Sequence, residues 1–218
     1  MTAERSRQGI LFVVSAPSGT GKTTVCAELL KRVGDLRLSV SHTTRPMRRG
    51  EEEGVHYHFV SEDGFQELVS EEAFVEWAKF ADRYYGTSIE AVTGPLAEGM
   101  DLLLEIEVQG ARQIRERRAD ARLIFLLPPG LDVLQTRLRG RGTDSEPVIQ
   151  RRLAEAQGEI EAAEIFDYAV VNDSLDETVA NVIAIVEAER GGDTRSVRER
   201  FGRERVLADW RRGNPPRD

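Results

Sequence analysis

The segment Ala16-Pro-Ser-Gly-Thr-Gly-Lys-Thr23 constrains this chain more than any other. It joins an apolar run at residues 10–14 to a stretch in which Val25, Leu29, Leu30 and Val33 recur at helical spacing. A strand, a glycine-bearing loop and a helix in that order form a cradle for the phosphates of a nucleotide. Gly19 and Gly21 let consecutive backbone N–H groups turn inward around an anion, and the start of the helix adds the positive end of its dipole. Lys22 supplies a mobile charge to the β- and γ-phosphates, Thr23 a hydroxyl suited to Mg2+, and Thr24 reaches the α-phosphate. Ala16 stands where the pattern G-x-x-x-x-G-K-[ST] has its first glycine, so Ala16 is expected at ordinary, negative φ.

Beyond the loop, short β-branched runs alternate with segments of helical period, the mark of an α/β class with a parallel sheet covered by helices. Core strands are predicted at 102–106, 122–127 and 168–171, and helices at 109–118, 131–139 and 175–189. Residues 40–95 differ: compact aromatic pieces such as Tyr57-His-Phe-Val60 and Phe74-Val-Glu-Trp77 surround one short helix near 63–69, which suggests an inserted mixed α/β lobe. Gly140-Arg-Gly-Thr-Asp144 is polar, glycine-rich and flanked by helical segments, which suits a helical lid. The expected organisation is a core of 1–40, 96–130 and 159–189, a lobe of 41–95, a lid of 131–158 and a basic tail of 190–218.

Charge and cysteine usage exclude several functions. The formal net charge of −8 disfavours binding to a nucleic acid polymer. Nine arginines against five acids set residues 190–218 apart, and that tail is expected to be mostly solvated, lying loosely on the acidic body. A single cysteine, Cys26, permits no internal disulfide, and no apolar run exceeds five residues. These features predict a cytoplasmic protein without a membrane partner. His42, His56 and His58 lack a further ligand spaced to complete a transition-metal site.

A phosphate cradle does not name a reaction; a second site must. The lobe holds Ser41-His-Thr-Thr-Arg-Pro-Met-Arg-Arg-Gly-Glu51, then Gly54, Tyr57, Glu76-Trp77 and Tyr84-Tyr-Gly-Thr87. With Glu105-Ile-Glu-Val-Gln-Gly110, the stretch from Arg137 to Arg152 and Val170-Val-Asn172, the chain closely resembles the guanylate kinase family over about residues 9–189. The resemblance implies a P-loop three-layer fold and phosphoryl transfer from ATP to GMP with Mg2+.

On that resemblance Ala16, Pro17, Ser18, Gly19, Thr20, Gly21, Lys22, Thr23 and Thr24 bind ATP, and Asn172 lies near its adenine. Arg45 and Arg48, three apart in a loop, can close a fork on a second phosphate, with Tyr57 and Tyr85 as phenolic donors; Glu51 belongs to the same motif. Guanine presents N1–H and N2–H2 side by side, a pair that one carboxylate accepts, and Glu76 is the candidate acceptor. Ser41, Thr87 and Glu107 are flanking contacts implied by the family. Glu107 stands where the family commonly has Asp. Glu105 holds a Mg2+-bound water, orients Lys22 or is a plain structural acid. Arg137, Arg141 and Arg152 match the lid positions used around the triphosphate. Two competitors share parts of this pattern: a sugar-phosphate kinase, which would lack the Glu76 and Tyr85 contacts, and a peptide-binding module, which would lack Lys22-Thr23.

Overall fold

The computed structural model describes residues 7–80, 82–140 and 145–214. Five strands form one sheet in the order β2-β7-β1-β8-β9, namely β1 (Leu11–Ser15), β2 (Leu36–Leu38), β7 (Asp101–Glu105), β8 (Arg122–Leu127) and β9 (Tyr168–Val171). The pairs β2–β7 and β8–β9 run parallel, as the α/β alternation predicts. Leu11 to Ser15 are all buried, which is why these strands read as continuous apolar runs rather than alternating ones. A second sheet, in the order β4-β3-β6-β5, is mixed: β3 (His42–Thr43), β4 (His58–Phe59), β5 (Phe74–Phe80) and β6 (Arg83–Ser88).

The described chain divides into two compact units. The first takes residues up to Phe12 and Asp35–Ala121. It contains the mixed sheet, α2 (Glu62–Ser70), α3 (Ile89–Ala97) and α4 (Val108–Arg117). Buried Asp101 fixes the start of β1 by accepting from the Ile10 N–H at 2.7 Å and pairing with Arg7 at 2.8 Å. A bulge between Phe74 and Glu76 makes Val75 the extra residue of β5. It lets Phe74 and Trp77 join Phe65 of α2 and Tyr84 in an aromatic core, with Phe65 and Phe74 stacked at 4.6 Å, while Glu76 turns to the other face.

The second unit takes Val13–Gly34 and Arg122–Asp218. Here α1 (Lys22–Arg32) packs on α7 (Leu175–Gly191), with Arg32 and Asp176 paired at 2.7 Å. It also holds α5 (Leu131–Arg139), α6 (Glu146–Glu161), α8 (Arg195–Phe201) and α9 (Arg203–Gly213). The last two correct the expectation of a solvated tail: Val197, Phe201, Leu207 and Trp210 are buried. Their spacing is irregular because it is shared by two short helices broken at Gly202, so no single helical face is visible in the sequence. Among the described residues no helix is long and apolar enough to cross a membrane.

Candidate active site

The phosphate loop runs from buried β1 into α1. Gly19 has φ +91° and Gly21 φ +101°, the left-handed region that glycine alone enters cheaply, whereas Ala16 keeps ordinary φ as expected. Close packing adds a second demand: a Cβ on Gly21 would stand 2.9 Å from the Asn172 side-chain amide. Gly21 caps α1 without a side-chain hydrogen bond, and the first turn carries no acid, so nothing acidic opposes an anion there. Lys22 opens the helix and is half-buried; Thr23 and Thr24 follow it and are exposed. Pro17 and Thr20 are buried, while Ser18 is partly exposed. The buried Thr20 hydroxyl has no hydrogen-bond partner.

Two side chains brace this loop by its backbone. The Asn172 amide, just after β9, donates to the Thr20 carbonyl at 2.7 Å. Arg137, on α5, donates to the same carbonyl and to the Asn172 carbonyl, each at 3.2 Å. The loop is closed further by the Thr20 N–H, which donates to the Pro17 carbonyl at 3.1 Å. Arg152 is half-buried on α6, and Arg141 lies outside the described residues.

In the first unit, strand register brings the lobe residues onto one sheet face. Glu76 is opposite Thr87, and Tyr85 is opposite both Ala78 and Thr43, so Glu76, Thr87 and Tyr85 share a face. Glu76 is only 3 % exposed. Its Oε1 accepts from the Thr87 hydroxyl at 2.6 Å, and that hydroxyl meets Ser41 Oγ at 3.1 Å.

Helix α4 supplies a stripe of residues that sequence reasoning missed. Gly110, Gln113 and Arg117 lie three and four apart, on one helical face. The Gln113 amide donates to the Trp77 carbonyl at 2.6 Å and accepts the Trp77 N–H at 3.2 Å, which satisfies the outer edge of β5. Arg117 donates to the bulge carbonyls of Phe74 and Val75 at 2.7 and 3.1 Å. Gly110 lets the helix approach: a Cβ there would stand 2.4 Å from Glu76 Oε2. The i, i+3, i+7 spacing was available in the sequence, but nothing in it names β5 as the partner. Glu107 is the N-cap residue of α4, and Glu105 ends β7; both are partly buried.

Arg45 is held by Glu51 through two hydrogen bonds of 2.9 and 2.7 Å, and its guanidinium lies over the Tyr57 ring, 5.3 Å from the centroid. Tyr57 and Tyr85 sit 6.0 Å apart, edge to face. Arg48 itself is exposed, and its backbone N–H donates to Glu51 at 2.7 Å. Burial, then the Glu105 charge, raises the Tyr57 phenol above its ordinary range, so it remains a hydrogen-bond donor at neutral pH.

The Arg45 guanidinium, then the Arg48 N–H, lowers the Glu51 carboxyl from 4.5 to about 2. A depressed carboxyl stabilises the fold fully above its unfolded value and loses that contribution as pH falls through about 2. Carboxyl NMR of Glu51 should therefore show no titration midpoint near 4.5. A midpoint there would mean that Arg45 is not engaged.

Two arrangements thus stand in the chain: an anion cradle with a lysine, and a sheet face with a buried carboxylate, an oriented arginine and two phenols. Comparison with known proteins gives them a family. The guanylate kinase family model matches residues 8–189. The guanylate kinase of Neisseria gonorrhoeae is 54 % identical over 184 residues, 84 % of this chain and 90 % of that protein. That of Escherichia coli K12 is 49 % identical over 185 residues, 84 % and 89 %. The crystal structure of guanylate kinase from Anaplasma phagocytophilum superposes with a TM-score of 0.68 at 32 % identity, covering 84 % of this chain and 87 % of that one. With the phosphate loop, the paired lobe motifs and this extent of likeness together, the chain belongs to the guanylate kinase family of P-loop enzymes.

Proposed function

We propose that this enzyme transfers the γ-phosphoryl group of ATP to GMP, giving ADP and GDP. The observation that carries it is Glu76, a carboxylate 3 % exposed, oriented by Thr87 and pressed by α4. A buried acceptor of this kind suits the adjacent N1–H and N2–H2 donors of guanine. A base without those donors leaves the carboxylate unpaired and is rejected by about 10⁴-fold. Ser41 and Thr87 extend the same hydrogen-bonded chain, with Glu107 as a flanking contact.

In this reading Arg45, aimed by Glu51, grips the acceptor phosphate together with Arg48, Tyr57 and Tyr85. That phosphate has a second pKa of about 6 and is already an oxyanion at neutral pH, so no general base is needed. On the donor side, the backbone N–H groups of the loop around Gly19 and Gly21 hold the β- and γ-phosphates, Lys22 neutralises charge on the transferring group, and Thr24 reaches the α-phosphate. Asn172 acts by bracing the loop as well as by lying near adenine. Residues 131–158 form the lid, with Arg137, Arg141 and Arg152 bringing charge to the triphosphate and driving water out.

Mg2+ fits the residues present, because Thr23 is exposed in the first turn of α1 and offers a hydroxyl oxygen, the hard donor that this ion takes. Thr23 would hold it, and the ion when bound neutralises the donor phosphates. The test is ADP formation from ATP and Mg2+ with GMP, AMP, CMP and UMP in parallel. GMP alone should turn over at a high rate. Equal turnover with AMP would remove the base assignment, and no turnover with any of the four would remove the reaction.

A further inference from the structure

The two tail helices lie beyond the residues that the family model matches, yet α9 and its C-cap Asn214 hold the chain just before the segment assigned as the lid and the 3-10 turn just after the helix that ends it. At the start of the lid, the Trp210 indole N–H donates to the Pro128 carbonyl at 2.6 Å, and the Asn214 amide donates to the Pro129 carbonyl at 3.2 Å. Gly130, the N-cap of α5, completes the contact: a Cβ there would stand 2.7 Å from Asn214 Oδ1. Two of the three residues between β8 and α5 are therefore hydrogen-bonded to the tail, and the third is closely approached by it.

At its far end, α6 runs into a 3-10 turn, Ala162–Ile165. Arg211 pairs with Glu164 there at 3.6 Å, and Arg203 donates to the Phe166 carbonyl at 2.9 Å. Between these fixed ends the packing is open. A solvent-facing cleft of about 480 Å³ separates Gln135, Leu153 and Gln157 of α5 and α6 from Trp210 and Arg211 of α9. Bonded ends around an unfilled middle give a segment whose roots are fixed and whose body has room to move.

We propose that α9 anchors the two roots of the lid, and that Trp210 and Asn214 are positioning residues for phosphoryl transfer. They act through α5, which carries Arg137 against the Thr20 and Asn172 carbonyls. Releasing the start of α5 lets Arg137 drift from the donor phosphates while leaving the lobe residues of the first unit unaffected. The proposal rests on the assignment of residues 131–158 as the lid.

The test uses the full chain and the double variant Trp210→Phe/Asn214→Ala, which removes both hydrogen bonds but keeps an aromatic ring in place. Amide exchange across Leu131–Arg139 should accelerate about ten-fold, with β8 unchanged. The KM for ATP should rise about five-fold and that for GMP stay within about two-fold. Unchanged exchange in α5, or equal rises in both KM values, would overturn the proposal. Should the double variant not fold, Asn214→Ala alone must still speed exchange in the first turn of α5, and failure there overturns it equally. A parent chain inactive on GMP would sink the proposed reaction instead, while the exchange measurement would still decide whether α9 holds the lid's roots.

Discussion

Lys22→Ala is expected to lower kcat by about 10³-fold while leaving the melting temperature and far-ultraviolet dichroism close to those of the parent. The loop's shape comes from elsewhere: positive φ at Gly19 and Gly21, and the Thr20 carbonyl held by Asn172 and Arg137. Lys22 follows this frame as the first residue of α1, where its side chain is half-buried. Removing it takes away charge that matters most when the transferring group is most anionic, so kcat falls further than ATP affinity. Turnover within about three-fold of the parent would dismiss the cradle as the donor site.

Glu76→Gln should cut kcat/KM for GMP by about 10³-fold with little change in the KM for ATP. Glutamine fills the same volume and can still meet the Thr87 hydroxyl, so the lobe should remain folded. It offers guanine one acceptor and one donor in place of two acceptors, and a donor facing a donor is repulsive. Gly110→Ala probes the same carboxylate from behind. An added Cβ would come within 2.4 Å of Oε2, closer than atoms approach, so Glu76 must move. The expected result is a rise of about ten-fold in the KM for GMP, again with the KM for ATP unchanged. If both variants keep the parent's preference for GMP over AMP, Glu76 does not read the base.

The elements that were legible beforehand are those set by neighbours in the chain. Strands 122–127 and 168–171 and the helix 131–139 match β8, β9 and α5 residue for residue, because each is a run of one hydrophobic period ended by glycine, proline or a polar turn. Ala16 at ordinary φ followed from its own Cβ, which tolerates positive φ poorly. The packing of the tail is not legible in the sequence because Val197, Phe201, Leu207 and Trp210 belong to two helices, and the burial of each depends on surfaces distant in sequence.

The candidate site divides in the same way. The identities of Lys22, Arg45, Glu76 and Tyr85 and their order along the chain are local facts, and they already point to two anion-binding groups and one base acceptor. Their orientation is not local. Glu76 turns to its face because a bulge shifts β5 by one residue, and Gln113 and Arg117 of α4 hold that bulge and the strand beside it through backbone carbonyls. Arg45 is aimed by Glu51, and the phosphate loop is braced by Asn172, about 150 residues further along the chain. Sequence alone therefore determined which chemical groups this protein brings to its task. Tertiary structure decided where each one points, because a side chain's direction is set by the hydrogen-bond partners and close contacts that folding brings to it from elsewhere in the chain.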